Sequence, residues 1–203
     1  MGRSNGLKVS SQWDETDPSI EDEILEAYSE LAGEEDLHLN QLEELFHRLQ
    51  IPGCFTRQLL QSVDQFYAIL DSGASINLKD TSHLMVVFMV QNLTITDPQV
   101  TSIHECLDIV DIDKLLTRGT KLIKFRDNYQ HITDTWRLFG CKENDTLTIP
   151  QLQKIKEELN VEVSDQMLID MVSCGKEFNF EGACVGILTF GEILGKLGEL
   201  DAR

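Results

Sequence analysis

From Pro18 onward apolar positions recur at helical spacing, and polar breaks cut the chain into short amphipathic helices. Ile20, Ile24, Tyr28 and Leu31 mark the first, opened by Pro18, with Glu21, Asp22 and Glu23 near the positive end of the helix dipole. After the break at Gly33 to Asp36, Leu39, Leu42, Leu45, Phe46 and Leu49 predict a second helix, starting near Asn40 and ended by Ile51-Pro52-Gly53. Leu59, Leu60, Val63, Phe66, Tyr67 and Leu70 predict a third, Gly73 to Asn77 a turn, and Lys79 to Leu93 a fourth. Its run from Leu84 to Val90 is apolar on nearly all sides and should lie buried. Residues 1–17 are polar, with a lone Trp13 and no periodicity, which predicts a disordered tail. Residues 95–130 hold a turn at Thr96-Asp97-Pro98, a modest helix around Ile103, Leu107 and Val110, and a break at Gly119.

Between Thr133 and Val172 the pattern holds register through helix, twelve-residue loop, helix, linker and next helix. Trp136, Phe139, Leu147, Leu152, Ile155, Leu159, Leu168, Met171 and Val172 take its apolar positions, as in a pair of EF-hands. The calcium chemistry is missing. With loop position 1 at Gly140, Lys142 falls at position 3, Asn144 at 5, Asp145 at 6 and Gln151 at 12, where a calcium loop needs carboxylates at 1 and 3, glycine at 6 and a bidentate Glu at 12. A lysine ammonium beside a doubly charged ion is opposed by roughly 8 kcal/mol at an effective dielectric near 20, about all that a micromolar site is worth.

The other three units depart from the pattern as well. Flanking register leaves the first only about ten loop residues, and Ile76 in the second falls where paired loops exchange a short β-bridge. In the fourth, Ser164 caps the entering helix, a loop starts at Lys176, and Glu192 reads as position 12, so seventeen residues fill a space for twelve. The extra residues, around Phe178 to Cys184, would disrupt an ion cage. The expected fold is all-α, a two-lobed degenerate EF-hand protein with little or no calcium binding. Its expected parts are a tail (1–17), an N-terminal lobe (18–94), a linker or insertion (95–130) and a C-terminal lobe (131–203).

Charge narrows the choice of partners. Thirty-five acidic against 17 basic residues give a formal net charge of −18, which argues against direct nucleic-acid binding and for a basic partner or simple solubility. The one basic segment, Lys114 to Arg126, holds five basic residues and no acidic one. It reads as a solvated linker face, the alternative being a face for phosphates or an acidic partner. Five scattered cysteines without a C-x-x-C pair predict a reducing compartment, cytosol or nucleus. The longest apolar run is too short for a membrane span, and Gly6 spoils the myristoylation-like start, so no membrane partner is expected. His38, His47, His83, His104 and His131 show no zinc spacing. Neither a Walker loop, G-x-S-x-G nor H-E-x-x-H occurs, so no metal, cofactor or enzyme activity is expected.

Four segments carry a resemblance: Glu21-Asp-Glu-Ile-Leu-Glu-Ala-Tyr28, Gln91-Asn-Leu-Thr94, Met171-Val-Ser-Cys174 and Gly191-Glu-Ile-Leu-Gly-Lys-Leu-Gly198. In them the chain resembles centrin and calmodulin, and within that group the centrin-related accessory subunit of the yeast nucleotide-excision-repair damage-recognition complex. The resemblance implies a nuclear, calcium-independent adaptor, also present in the cytoplasm. It would bind an amphipathic helix near the C-terminus of a damage sensor of the xeroderma pigmentosum group C type and stabilise it. That is helix-in-groove recognition, and the cup would be lined by Trp136, Phe139, Leu152, Ile155, Leu168, Met171, Val172, Ile193 and Leu197. Two rim positions that are methionine in calmodulin correspond by register to Lys156 and Lys196, which favours a dedicated partner over promiscuous binding. The alternative of another class is a structural light chain gripping an IQ-type helix of a myosin or spindle-pole scaffold.

Overall fold

The computed structural model describes residues 10, 13–73, 86–88, 90–95, 108–160, 162–174 and 184–200, the side chains of 171, 173 and 174 excepted. They are mostly helical, with one two-stranded sheet. The chain divides into two compact units, Thr16–Arg126 and a discontinuous one of Asp127–Arg203 with Met1–Glu15.

In the first unit α1, Pro18–Ala32, starts where Asp17 accepts hydrogen bonds from the Ser19 backbone N–H at 2.8 Å and hydroxyl at 2.7 Å. These bonds hold the Asp17 carboxyl below the usual carboxylate range. The second helix opens slightly before the expected Asn40. A 3-10 turn, Leu39–Gln41, follows His38, whose backbone N–H donates to Gln41 Oε1 at 2.8 Å, and leads into α2, Leu42–Arg48. Helix α3, Gly53–Ser72, stops at Gly73, whose φ of 61° is the left-handed conformation that glycine adopts without strain.

Residues expected to form a linker instead help to build this unit. Helix α4, Ile112–Asp127, buries Leu115, Leu122, Ile123 and Phe125, and Phe125 packs on Phe55 with ring centroids 5.3 Å apart. Gly119 does not break it. A Cβ there would lie 2.9 Å from Ile24 Cδ1, so glycine lets α1 and α4 approach closely. Ahead of α4 the backbone is stitched to two segments: Val110 N–H donates to the Leu37 carbonyl at 2.7 Å and Asp111 N–H to the Leu93 carbonyl at 2.8 Å. Isolated bridges join His38 with Ile109 and Thr94 with Val110. Ile76, expected to pair, and the modest helix around Ile103 and Leu107 lie outside the described residues. In the expected fourth helix Val86 and Val90 are buried and Phe88 is exposed.

The basic segment is engaged within this unit. Lys114 Nζ donates to the carbonyls of Gln91 at 2.9 Å and Thr94 at 2.7 Å. Arg126 grips Glu23 through both carboxylate oxygens and donates to the Leu49 carbonyl at 2.9 Å.

The second unit holds α5 (Tyr129–Leu138), β1 (Leu147–Thr148), α6 (Ile149–Leu159), α7 (Asp165–Cys174), β2 (Cys184–Val185) and α8 (Ile187–Lys196). The strands pair antiparallel, Leu147 with Val185 and Thr148 with Cys184. Helix α5 packs on α8 and α6 on α7. Ser164 caps α7 as expected, its hydroxyl accepting from Met167 N–H at 3.2 Å. Trp13, which the pattern left in the tail, belongs to this unit too, and its side chain is buried. One indole carries a large apolar surface, and a single such residue leaves no periodicity to detect. No described helix is long and apolar enough to cross a membrane.

Candidate partner-binding site

The loop after α5 satisfies itself. Gly140 leaves the helix with φ 72°, Lys142 N–H donates to Asp145 Oδ2 at 2.7 Å, and Asp145 N–H returns to the Lys142 carbonyl at 3.0 Å. Asp145 lacks the positive φ that the glycine of a calcium loop supplies. Gln151 is used as a helix cap, its Oε1 accepting from the Thr148 backbone N–H and hydroxyl, both at 2.8 Å. Burial first, and then Asp145, push the Cys141 thiol up. Among the described residues no three His, Cys, Asp or Glu side chains gather as a metal site.

Strand pairing also corrects the reading of Glu192. Leu147 lies opposite Val185, so the counterpart of Gln151, four residues beyond Leu147, is Thr189. Glu192 sits almost one turn further along α8 and is buried. The same three-residue shift gives Ile193 the rim position assigned above to Lys196.

Eight of the nine residues expected to line a cup fall into two groups. Trp136, Leu152, Leu168 and Val172 are core residues, each at most 5% exposed. Trp136 is tied in twice: Nε1 donates to the Lys142 carbonyl at 2.7 Å, and the ring lies 5.0 Å from that of Phe190. Phe139, Ile155 and Ile193 are half-buried and Leu197 is exposed, while the Met171 side chain lies outside the described residues. Pattern reading missed Leu138, Met167 and Ile169 as surface residues and placed Leu159 only as an apolar position; all four are exposed. Helical periodicity marks an apolar stripe without saying where along it the core ends.

What the structure adds is a gradient. Helices α6 and α8 both leave the strand pair, and each apolar stripe passes from buried to exposed along its length. On α6 the order is Leu152 buried, Ile155 half-buried, Leu159 exposed; on α8 it is Phe190 buried, Ile193 half-buried, Leu197 exposed. Phe139 lies on the edge of Phe190, ring centroids 5.6 Å apart. Acidic side chains of Glu157, Glu158 and Glu199 stand exposed near the far ends of the two stripes. Glu158 is paired with Lys154 at 3.7 Å, and apolar residues exposed at helical spacing are the feature that helix-in-groove recognition uses.

These features define a mostly helical protein with one short strand pair and, among the described residues, no metal site. The model of the Rad33 family matches residues 10–164, and the chain belongs to that family, a Rad4-associated family that suggests a role in nucleotide excision repair. The match takes in the first unit, Trp13 and α6, and ends just before α7. No curated protein and no solved structure matches the chain.

Proposed function

We propose that this protein is a calcium-independent adaptor of nucleotide excision repair that binds an amphipathic helix of a damage sensor of the xeroderma pigmentosum group C type and stabilises it. In this reading it is a nuclear, non-enzymatic protein that works without a cofactor and reaches DNA only through its partner. The observation that carries the reading is the pair of graded stripes on α6 and α8, ending at Leu159 and Leu197. Helices that follow two paired strands and expose their far ends fit a degenerate EF-hand pair of the centrin kind. A constitutive grip is favoured because Asp145 and Gln151 already hold backbone N–H groups that calcium would leave unpaired. Family membership favours the repair role over that of a light chain.

Calorimetric titration with a peptide of the sensor's C-terminal helix, once with calcium and once with chelator, tests this. Tight binding of equal strength in both is the expected result. Binding only with calcium would contradict the reading of the loops, and no binding in either would reject the adaptor.

A further inference from the structure

We infer that the flank of α8 carrying Glu192 and Gly195 is a docking site for a segment bearing a tryptophan, and that its resident ligand is the chain's own Trp13, seated there as a releasable strap. Three contacts define the seat. Trp13 Nε1 donates to Glu192 Oε2 at 3.0 Å. The indole lies flat against Gly195, where a Cβ would overlap its Cδ2, Cε2 and Cε3 atoms. Ser10 N–H donates to the Lys196 carbonyl at 2.8 Å, near the C-terminal end of α8 where carbonyls lack helical partners. A polar anchor, a flat apolar floor and a backbone bond together recognise an indole and the Ser10 backbone. The site has the composition of a peptide-binding pocket, filled from within the chain.

Its position gives the strap a consequence. Residues three apart share a helix face, so Glu192 and Gly195 lie together, roughly opposite Phe190, Ile193 and Leu197. The strap therefore holds one side of the helix whose other side carries the graded stripe. Seated, it fixes the orientation in which Ile193 and Leu197 are presented; released, it frees α8 to shift. Only this coupling rests on the proposed function, and the seat itself does not.

Fluorine resonances from fluorotryptophan report the two indoles, Trp13 and Trp136, separately, with Trp13→Phe for assignment. Gly195→Ala is expected to move the Trp13 resonance to its solvent-exposed position while Trp136 is unchanged, since alanine favours the helix and only the seat is blocked. A second arm uses Trp13→Ala chain and a fluorotryptophan peptide of the first sixteen residues. The peptide should bind, and about tenfold more weakly or worse when Gly195→Ala is added. A protected Trp13 in Gly195→Ala, or peptide binding indifferent to that change, would overturn the strap. Neither arm contains the repair partner, so a working strap with no sensor-helix binding would count against the adaptor alone.

Discussion

The two units differ in how much large apolar surface their described residues expose, although both contain polar ties such as Lys156 to Asp165 in the second. In the first, polar side chains stitch the elements together: Arg126 joins α4 to Glu23 and the end of α2, Lys114 holds the carbonyls of Gln91 and Thr94, and Tyr67 bonds to Asp108. Its exposed large apolar residues, among those described, are Phe88 and Ile95. The second exposes Leu138, Leu159, Met167, Ile169 and Leu197. Large apolar side chains left in water are the raw material of association surfaces where they lie together. Polar ties in the first unit and exposed helix ends in the second are the division between support and grip that the proposed function requires.

The largest effect should come from the core beneath the open surface. Trp136→Ala removes a fully buried indole and its bond to the Lys142 carbonyl, and should cost about 3–5 kcal/mol. Urea unfolding followed by circular dichroism checks this, with the loss confined to the second unit. A loss below about 1 kcal/mol would mean that the indole is not a structural anchor. On the other side of the comparison, Arg126→Ala breaks the tie to Glu23 and Leu49 and should destabilise the first unit by about 1–2 kcal/mol, moderated because Glu23 is partly exposed. If Arg126→Ala melts like the parent, polar stitching is not what closes that unit.

Surface substitutions separate grip from support more directly. Leu197→Asp and Leu159→Asp place a charge where each stripe reaches solvent. Each should weaken binding of the sensor helix about tenfold, or about 1.4 kcal/mol, with little change in unfolding. Phe88→Asp, about as exposed as Leu197 but in the first unit, should leave affinity unchanged. Equal losses from all three would erase the distinction between the units.

Much of the local structure was legible because short-range rules set it. Pro18, Ser164 and the apolar residues of α6 and α7 mark helices within a residue or two of their observed bounds, while α5 starts at Tyr129, four residues ahead of the expected Thr133. Three features were hidden for physical reasons. Helix α4 reads as a basic linker because Gly119 interrupts its stripe, and only the approach of Ile24 explains that glycine. The register of α8 depends on which residue faces Leu147 across the strand pair, a non-local fact that moves Glu192 off the loop and onto the helix. Trp13 acts through contacts with Glu192 and Gly195 at the far end of the chain. Of the expected cup, periodicity located the stripes; burial decided that Trp136, Leu152, Leu168 and Val172 are foundations and Ile193 and Leu197 the reachable edge.

The smallest expected effect tests the polar side of the comparison by pH. Tyr67 donates its hydroxyl to Asp108 Oδ2 at 3.0 Å and accepts from Asn40 N–H at 3.3 Å, while His38 Nδ1 lies 3.1 Å from Asp108 Oδ1. Burial, reinforced by the bond to Asp108 and by its charge, pushes the phenol up from 10.0 to about 12. Because the folded value is the higher one, the stabilisation is fully present below pH 10 and is lost as pH rises toward 12. Difference absorbance between the parent and Tyr67→Phe, titrated at 295 nm, isolates this group from Tyr28 and Tyr129. An ionisation near pH 12 is expected, together with a shallower alkaline loss of stability in Tyr67→Phe. Ionisation near the ordinary value would mean that the Tyr67 to Asp108 bond does not persist in solution, and one of the polar ties that close the first unit would fall away.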